Sequence, residues 1–147
     1  MGEEEKQIGG MIMAEVRPIN EKRYGVSKHK FLETYHFCLQ YNEWLRELQV
    51  ETDTVQSPVL TDLPPDKTTR DKTGMLAVKR AQLDKKRRLV EETAREAAPE
   101  IFPWLLKAVT TNGASYIYLK ERMDIPCGKD LFYDRRRKFY WLLANKL

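Results

Sequence analysis

Apolar positions along this chain recur at helical rather than strand spacing. Ser27 has the hydroxyl of a helix N-cap, and after it Phe31, Tyr35, Cys38 and Leu45 follow at steps of four, three and seven. Leu32, Leu39 and Leu48 widen the stripe, which predicts an amphipathic N-terminal helix over 27–50. The pattern stops between Glu51 and Lys72, where Pro58, Pro64 and Pro65 stand among Thr, Asp and Lys. That composition predicts a Pro/Thr-rich linker over 51–72. Helix formers return over 73–98, with Leu76, Leu83, Val90 and Ala97 one heptad apart. The alternate seam positions are Arg80, Arg87 and Ala94, a weak coiled-coil signature. Two uses stay open for this long charged helix: packing on the chain's own core, or pairing with a second copy in a homodimer.

Three shorter helices are predicted over 99–147. Pro99 fits a first turn, where its missing N–H is not needed, and Pro103 places the start of the next helix near Phe102, with Trp104, Leu105, Ala108 and Val109 along it. "TTNG" supplies a break at Asn112 and Gly113, "ASYIYLKERM" a short helix, "DIPCG" a second break, and a final helix begins near Lys129. No segment carries a strand pattern. The expected fold class is all-α, a helical bundle ending in a trihelical helix-turn-helix unit, with 1–26 as a polar tail or arm.

At 100° per residue from Lys129, Leu131, Phe132, Phe139, Leu142 and Leu143 share one arc of the final helix, the expected core face. Lys129, Asp130, Tyr133 and Arg137 lie opposite, with Tyr140 and Trp141 nearby. Arg136 and Lys138 sit on the shoulders, and Arg135 falls on the apolar arc, where its stem must extend to bring the charge to water or a phosphate.

Charge gives that outer face a meaning. The net charge is only +4, but the first ten residues are acidic while cations gather in "KKRR" at Lys85–Arg88 and "RRRK" at Arg135–Lys138. Such clusters favour an anionic partner, nucleic acid before membrane. A basic helix suits the DNA major groove. On that arrangement Lys129 and Arg137 reach base edges, with Asp130 and Tyr133 on the same face. Arg122, Arg135, Arg136 and Lys138 meet phosphates, and Lys85, Lys86, Arg87 and Arg88 provide secondary phosphate contacts.

Other chemistry finds less support. Cys38 and Cys127 form no CxxC pair, so reduced thiols and a cytoplasmic location are expected. His29 and His36 do not complete a metal-ligand spacing. No phosphate-cradling Gly-rich motif is present, and the acidic residues alternate with basic ones as surface pairs do. Neither cofactor, metal nor enzymatic activity is expected, and no stretch is apolar enough for a membrane span.

Several segments together resemble the small phage and prophage late-gene transcriptional regulators of Gram-positive bacteria, the RinA-like and ArpU-like proteins. "KRYGVSKHKFLETYHFCLQYNEWLREL" is similar to their opening helix and "KTGMLAVKRAQLDKKRRLVEETAREA" to their charged central helix. "GASYIYLKERMDIPCGKDLFYDRRRKFYWLL" looks like a helix-turn-helix of the sigma-factor region 4 type. Ile125, Phe132, Tyr133 and Arg135–Arg137 match the family's recognition-helix pattern, although "PCGKDL" lengthens the interval between Ile125 and Phe132. The resemblance implies a sequence-specific regulator that binds double-stranded DNA, with RNA polymerase or a sigma factor as a further partner. Two other classes stay open: a packaging or assembly protein of the small-terminase kind, and a protein-interaction module in which Phe132, Tyr140 and Trp141 dock a partner.

Overall fold

A computed structural model describes residues 17–56 and 67–147, and every regular element among them is helical. The helices are α1 (Glu21–Tyr24), α2 (Lys28–Leu39), α3 (Tyr41–Gln56), α4 (Lys67–Ala97), α5 (Phe102–Thr110), α6 (Tyr116–Met123) and α7 (Lys129–Lys146), with a 3₁₀ turn at Pro99–Ile101 before α5.

Local chemistry starts and stops most of these helices where the sequence predicts. The Ser27 hydroxyl accepts the Lys30 N–H at 3.1 Å, satisfying one of the donors a helix start leaves open. Ser115 does the same for Tyr118 at 3.3 Å. Gly113 turns the chain between α5 and α6 at φ 82°, a left-handed conformation that a side chain would strain.

The polar arm expected at the N-terminus is, from residue 17 on, part of the fold. Asn20 caps α1, Gly25 ends it at φ 68°, and Ile19 and Val26 on either side are buried. Residues 1–16, including the acidic start, lie outside the described residues.

The single helix expected over 27–50 is two. A tight turn at Gln40, whose N–H donates to the Phe37 carbonyl at 3.2 Å, separates α2 from α3. Phe37 and Trp44 pack edge to face across it at 4.9 Å, a contact that favours the change of direction. Both ends of the linker expected over 51–72 are helical instead. Helix α3 continues to Gln56 and α4 begins at Lys67, so 51–56 and 67–72 are helical. The segment 57–66 lies outside the described residues.

Helices α3 and α4 run antiparallel: Tyr41 Oη donates to Glu91 at 2.5 Å, Lys86 lies over the Trp44 ring, and Lys79 pairs with Glu47 at 3.6 Å. From Leu83 onward the heptad seam of α4 turns inward, and Leu83, Val90, Ala94 and Ala97 are all buried inside the chain. That stretch packs on the chain's own core, the first of the two uses left open for this helix.

Helix α7 is the centre of the bundle, packed against α2, α4 and α5. It lies antiparallel to α4, with Arg135 paired to Glu100 at 3.0 Å and Lys146 to Glu96 at 2.7 Å. Phe132, Phe139 and Leu143 meet Phe31, Leu105, Val109 and Val90 in one core. Helices α6 and α7 each pack on α5. Trp104 donates its indole N–H to the Met123 carbonyl at 2.8 Å, and Tyr116 its hydroxyl to the Cys127 carbonyl at 2.8 Å. These bonds fix the Asp124–Gly128 turn, which is longer than the roughly three to four residues of a compact helix-turn-helix.

Candidate anion-binding face of the last helix

The seating of α7 decides which cations face outward. Its buried residues are Phe132, Phe139, Tyr140, Leu143 and Ala144, an arc rotated by about 70° from the one expected from apolar positions alone. The rotation arises because α2 presses Phe31 against Tyr140, ring centroids 5.0 Å apart, drawing Tyr140 into the core. Leu131, expected inside, is 37% exposed, and Leu142 is only partly buried.

Each predicted contact residue can now be placed. Lys129, Asp130, Arg137 and Lys138 are exposed on α7, and Arg122 is exposed on α6. Arg135, expected to reach a phosphate, is held between Glu100 at 3.0 Å and Asp134 at 3.2 Å. Arg136, also expected at a phosphate, is partly buried. Its guanidinium lies 4.6 Å from the Tyr133 ring centroid and 5.6 Å from that of Phe132, at stacking distance. The outward face thus carries Arg137, Lys138 and Trp141 together with Asp130 and Asp134, and is less cationic than "RRRK" suggests.

The second run, Lys85–Arg88, is largely engaged within its own helix pair. Arg87 bridges Asp84 at 2.7 Å and Glu91 at 2.9 Å, Arg88 reaches Asp84 at 3.0 Å, and Lys86 lies over Trp44. The Arg87 guanidinium holds the Asp84 carboxyl below its ordinary value. Lys85 is exposed on the same turn. The two runs do not form one surface: Lys146, roughly 15 Å along α7 from Arg136, is where α7 meets Thr93 and Glu96, still more than one turn of α4 beyond Arg88.

A groove of about 530 Å³ opens where the Arg17–Asn20 segment runs along α7. Arg17, Lys129, Arg136 and Arg137 line it with Tyr133 and Tyr140, and no carboxylate is among its described lining residues. Lys129, Tyr133, Arg136 and Tyr140 stand at i, i+4, i+7 and i+11, one stripe of the helix. Desolvation lowers the pKa of Arg136, opposed by the neighbouring tyrosines, while burial pushes the Tyr140 phenol well up. The Tyr140 hydroxyl is buried and has no hydrogen-bond partner among the described residues.

Arg17 and Tyr140 were not among the predicted contact residues. The stripe of Tyr140 with Lys129, Tyr133 and Arg136 is visible in the sequence, hidden by assigning the wrong core arc. Nothing local to Arg17 signals its place beside α7.

Comparison of the chain with protein-family models, with curated proteins and with solved structures found no match.

Proposed function

We propose that the protein is a DNA-binding regulator that meets double-stranded DNA with the N-terminal half of α7. The observation that carries this reading is the seating of α7: held by α2, α4 and α5, it turns Lys129, Arg137 and Lys138 outward, and α6 with Arg122 precedes it across a pinned turn. A rigid helix with outward cations suits groove and backbone contact. On this reading the α5–α6–α7 succession serves as a helix-turn-helix with a long turn, of the kind found in the late-gene regulators the sequence resembles.

RNA polymerase or a sigma factor would meet α2 and α3, where Leu45 and Val50 are exposed. Action in the cytoplasm is supported by two free cysteines, Cys38 buried and Cys127 partly so; no described helix is long and apolar enough to cross a membrane.

A second reading rests on the mixed character of the same face. Trp141 is 39% exposed beside Asp130, Asp134, Arg137 and Lys138, a combination that also suits docking of another protein. Fluorescence anisotropy with a mixed-sequence duplex across a salt series separates the two. DNA binding predicts a steep loss of affinity with salt, and a log–log slope reduced by about 2 when Arg137 and Lys138 are both replaced by alanine. Absence of binding at low salt removes the DNA reading and leaves protein docking.

A further inference from the structure

The groove between the Arg17–Asn20 segment and α7 has a property that duplex binding does not need. Arg136 is withdrawn from water, yet among the described residues its electrostatic neighbours are Tyr133, Tyr140, Tyr35 and the like-charged Arg137, with no carboxylate among them. A partly buried guanidinium without a counter-ion is costly. A buried hydroxyl without a partner among the described residues is a second cost, and Tyr140, which carries one, lines the same groove. Both costs disappear if an anion with several acceptor oxygens enters, since guanidinium and hydroxyl then donate to it.

We infer that this groove binds a phosphomonoester of nucleotide size, its phosphoryl group held by Arg17, Arg136, Arg137 and the Tyr140 hydroxyl. The volume, about 530 Å³, falls in the range of small-ligand sites and exceeds what an isolated phosphate fills. The organic part lies along Tyr133 and the Pro18–Ile19 wall. A duplex backbone carries the same phosphoryl chemistry, but the Tyr140 hydroxyl lies below the surface, where a phosphate fixed on a rigid double helix does not descend. The inference is independent of duplex binding, although Lys129 and Arg137 belong to both surfaces, so an occupied groove would compete with DNA.

The test uses the full chain and three probes, AMP, inorganic phosphate and adenosine, read by thermal shift and by calorimetric titration. AMP raises the Tm, inorganic phosphate does so more weakly, and adenosine leaves it unchanged. Arg136→Gln weakens AMP by on the order of tenfold to a hundredfold, and Tyr140→Phe by about fivefold, the loss expected for charged and neutral hydrogen bonds. Without ligand, Tyr140→Phe does not lower the Tm, because it removes a hydroxyl with nothing to bond.

Failure of both AMP and phosphate to shift the Tm at millimolar concentration overturns the inference. So does a drop in the unliganded Tm of Tyr140→Phe, which would mean that the hydroxyl already has a partner. If Tyr140→Phe weakens duplex binding while AMP has no effect, the phosphoryl group belongs to the DNA backbone and the small ligand is excluded. AMP binding by a protein that ignores duplex DNA would instead uphold the groove and remove only the regulator reading.

Discussion

Two runs of four cations, Lys85–Arg88 in α4 and Arg135–Lys138 in α7, are almost interchangeable as sequence and differ in what they do. In α4 the acids lie three and four residues from Arg87 on the same helix, so Asp84 and Glu91 neutralise it at 2.7 and 2.9 Å. In α7 the corresponding neighbours are aromatic: Phe132 and Tyr133 lie four and three residues before Arg136, which stacks on them without an acid. A basic run stays open to an anionic partner only where its helical neighbours leave the charge unanswered.

The largest effect that tests this contrast concerns the seat of α7. Phe139 is fully buried, and Phe139→Ala should cost about 3–5 kcal/mol in urea denaturation. A loss under about 1 kcal/mol would mean that the aromatic arc does not fix the rotation of the helix. Next comes duplex binding. Arg137→Ala with Lys138→Ala should lower the salt slope by about 2, whereas Arg87→Ala with Arg88→Ala should leave it unchanged. Equal losses in the two double variants would erase the distinction between the runs.

The two central arginines should also respond with opposite signs to an apolar replacement. Arg87→Met leaves Asp84 and Glu91 without their cation and should destabilise by about 1 kcal/mol, modest because the pairs are partly solvated. Arg136→Met replaces an unanswered guanidinium with an apolar chain and should be neutral or stabilising. Chemical denaturation of both variants checks the contrast, and a clear loss for Arg136→Met would contradict it.

The smallest effect is a dependence on acid. The Asp84 carboxyl is held below its ordinary 3.8 by Arg87, and that of Glu100 below its ordinary 4.5 by a backbone N–H and by Arg135. Depressed folded-state pKa values stabilise the protein above the ordinary range and lose that contribution as pH falls through them. The Tm should therefore decline slightly on acidification from pH 4.5, and more shallowly in Arg87→Met. A parallel decline in the variant would show that the Asp84 pair has no part in it.

Features carried by a few adjacent residues were legible before the structure. The Ser27 cap, the break at Asn112 and Gly113, the helix start at Phe102 and the final helix from Lys129 are all local, because a cap or a turn is satisfied within about one helical turn. The turn at Gln40 was not legible, since Leu39 and Tyr41 continue the apolar stripe and the change of direction is stabilised by packing between Phe37 and Trp44. Proline and threonine content made the 51–72 segment look irregular from end to end, whereas proline prevents a helix only near its own position. Lys129, Arg137, Lys138 and Arg122 are exposed, as their positions in the sequence suggest, whereas the pairing of Arg135 with Glu100 and the stacking of Arg136 on Tyr133 come from the fold.

By itself, the sequence determined the all-helical class, the approximate positions of most helices and the presence of two basic runs, because periodicity, capping and charge are properties of neighbouring residues. The rotation of α7 needed three other helices to set it. Only the tertiary structure could bring Tyr140 against Phe31, Arg135 against Glu100 and Arg17 alongside Arg136. Those pairs are separated by 35 residues or more, and no local preference specifies them. They meet because α7 buries Phe132, Phe139, Tyr140, Leu143 and Ala144 against α2, α4 and α5 at once, and the fate of each cation follows from that fit.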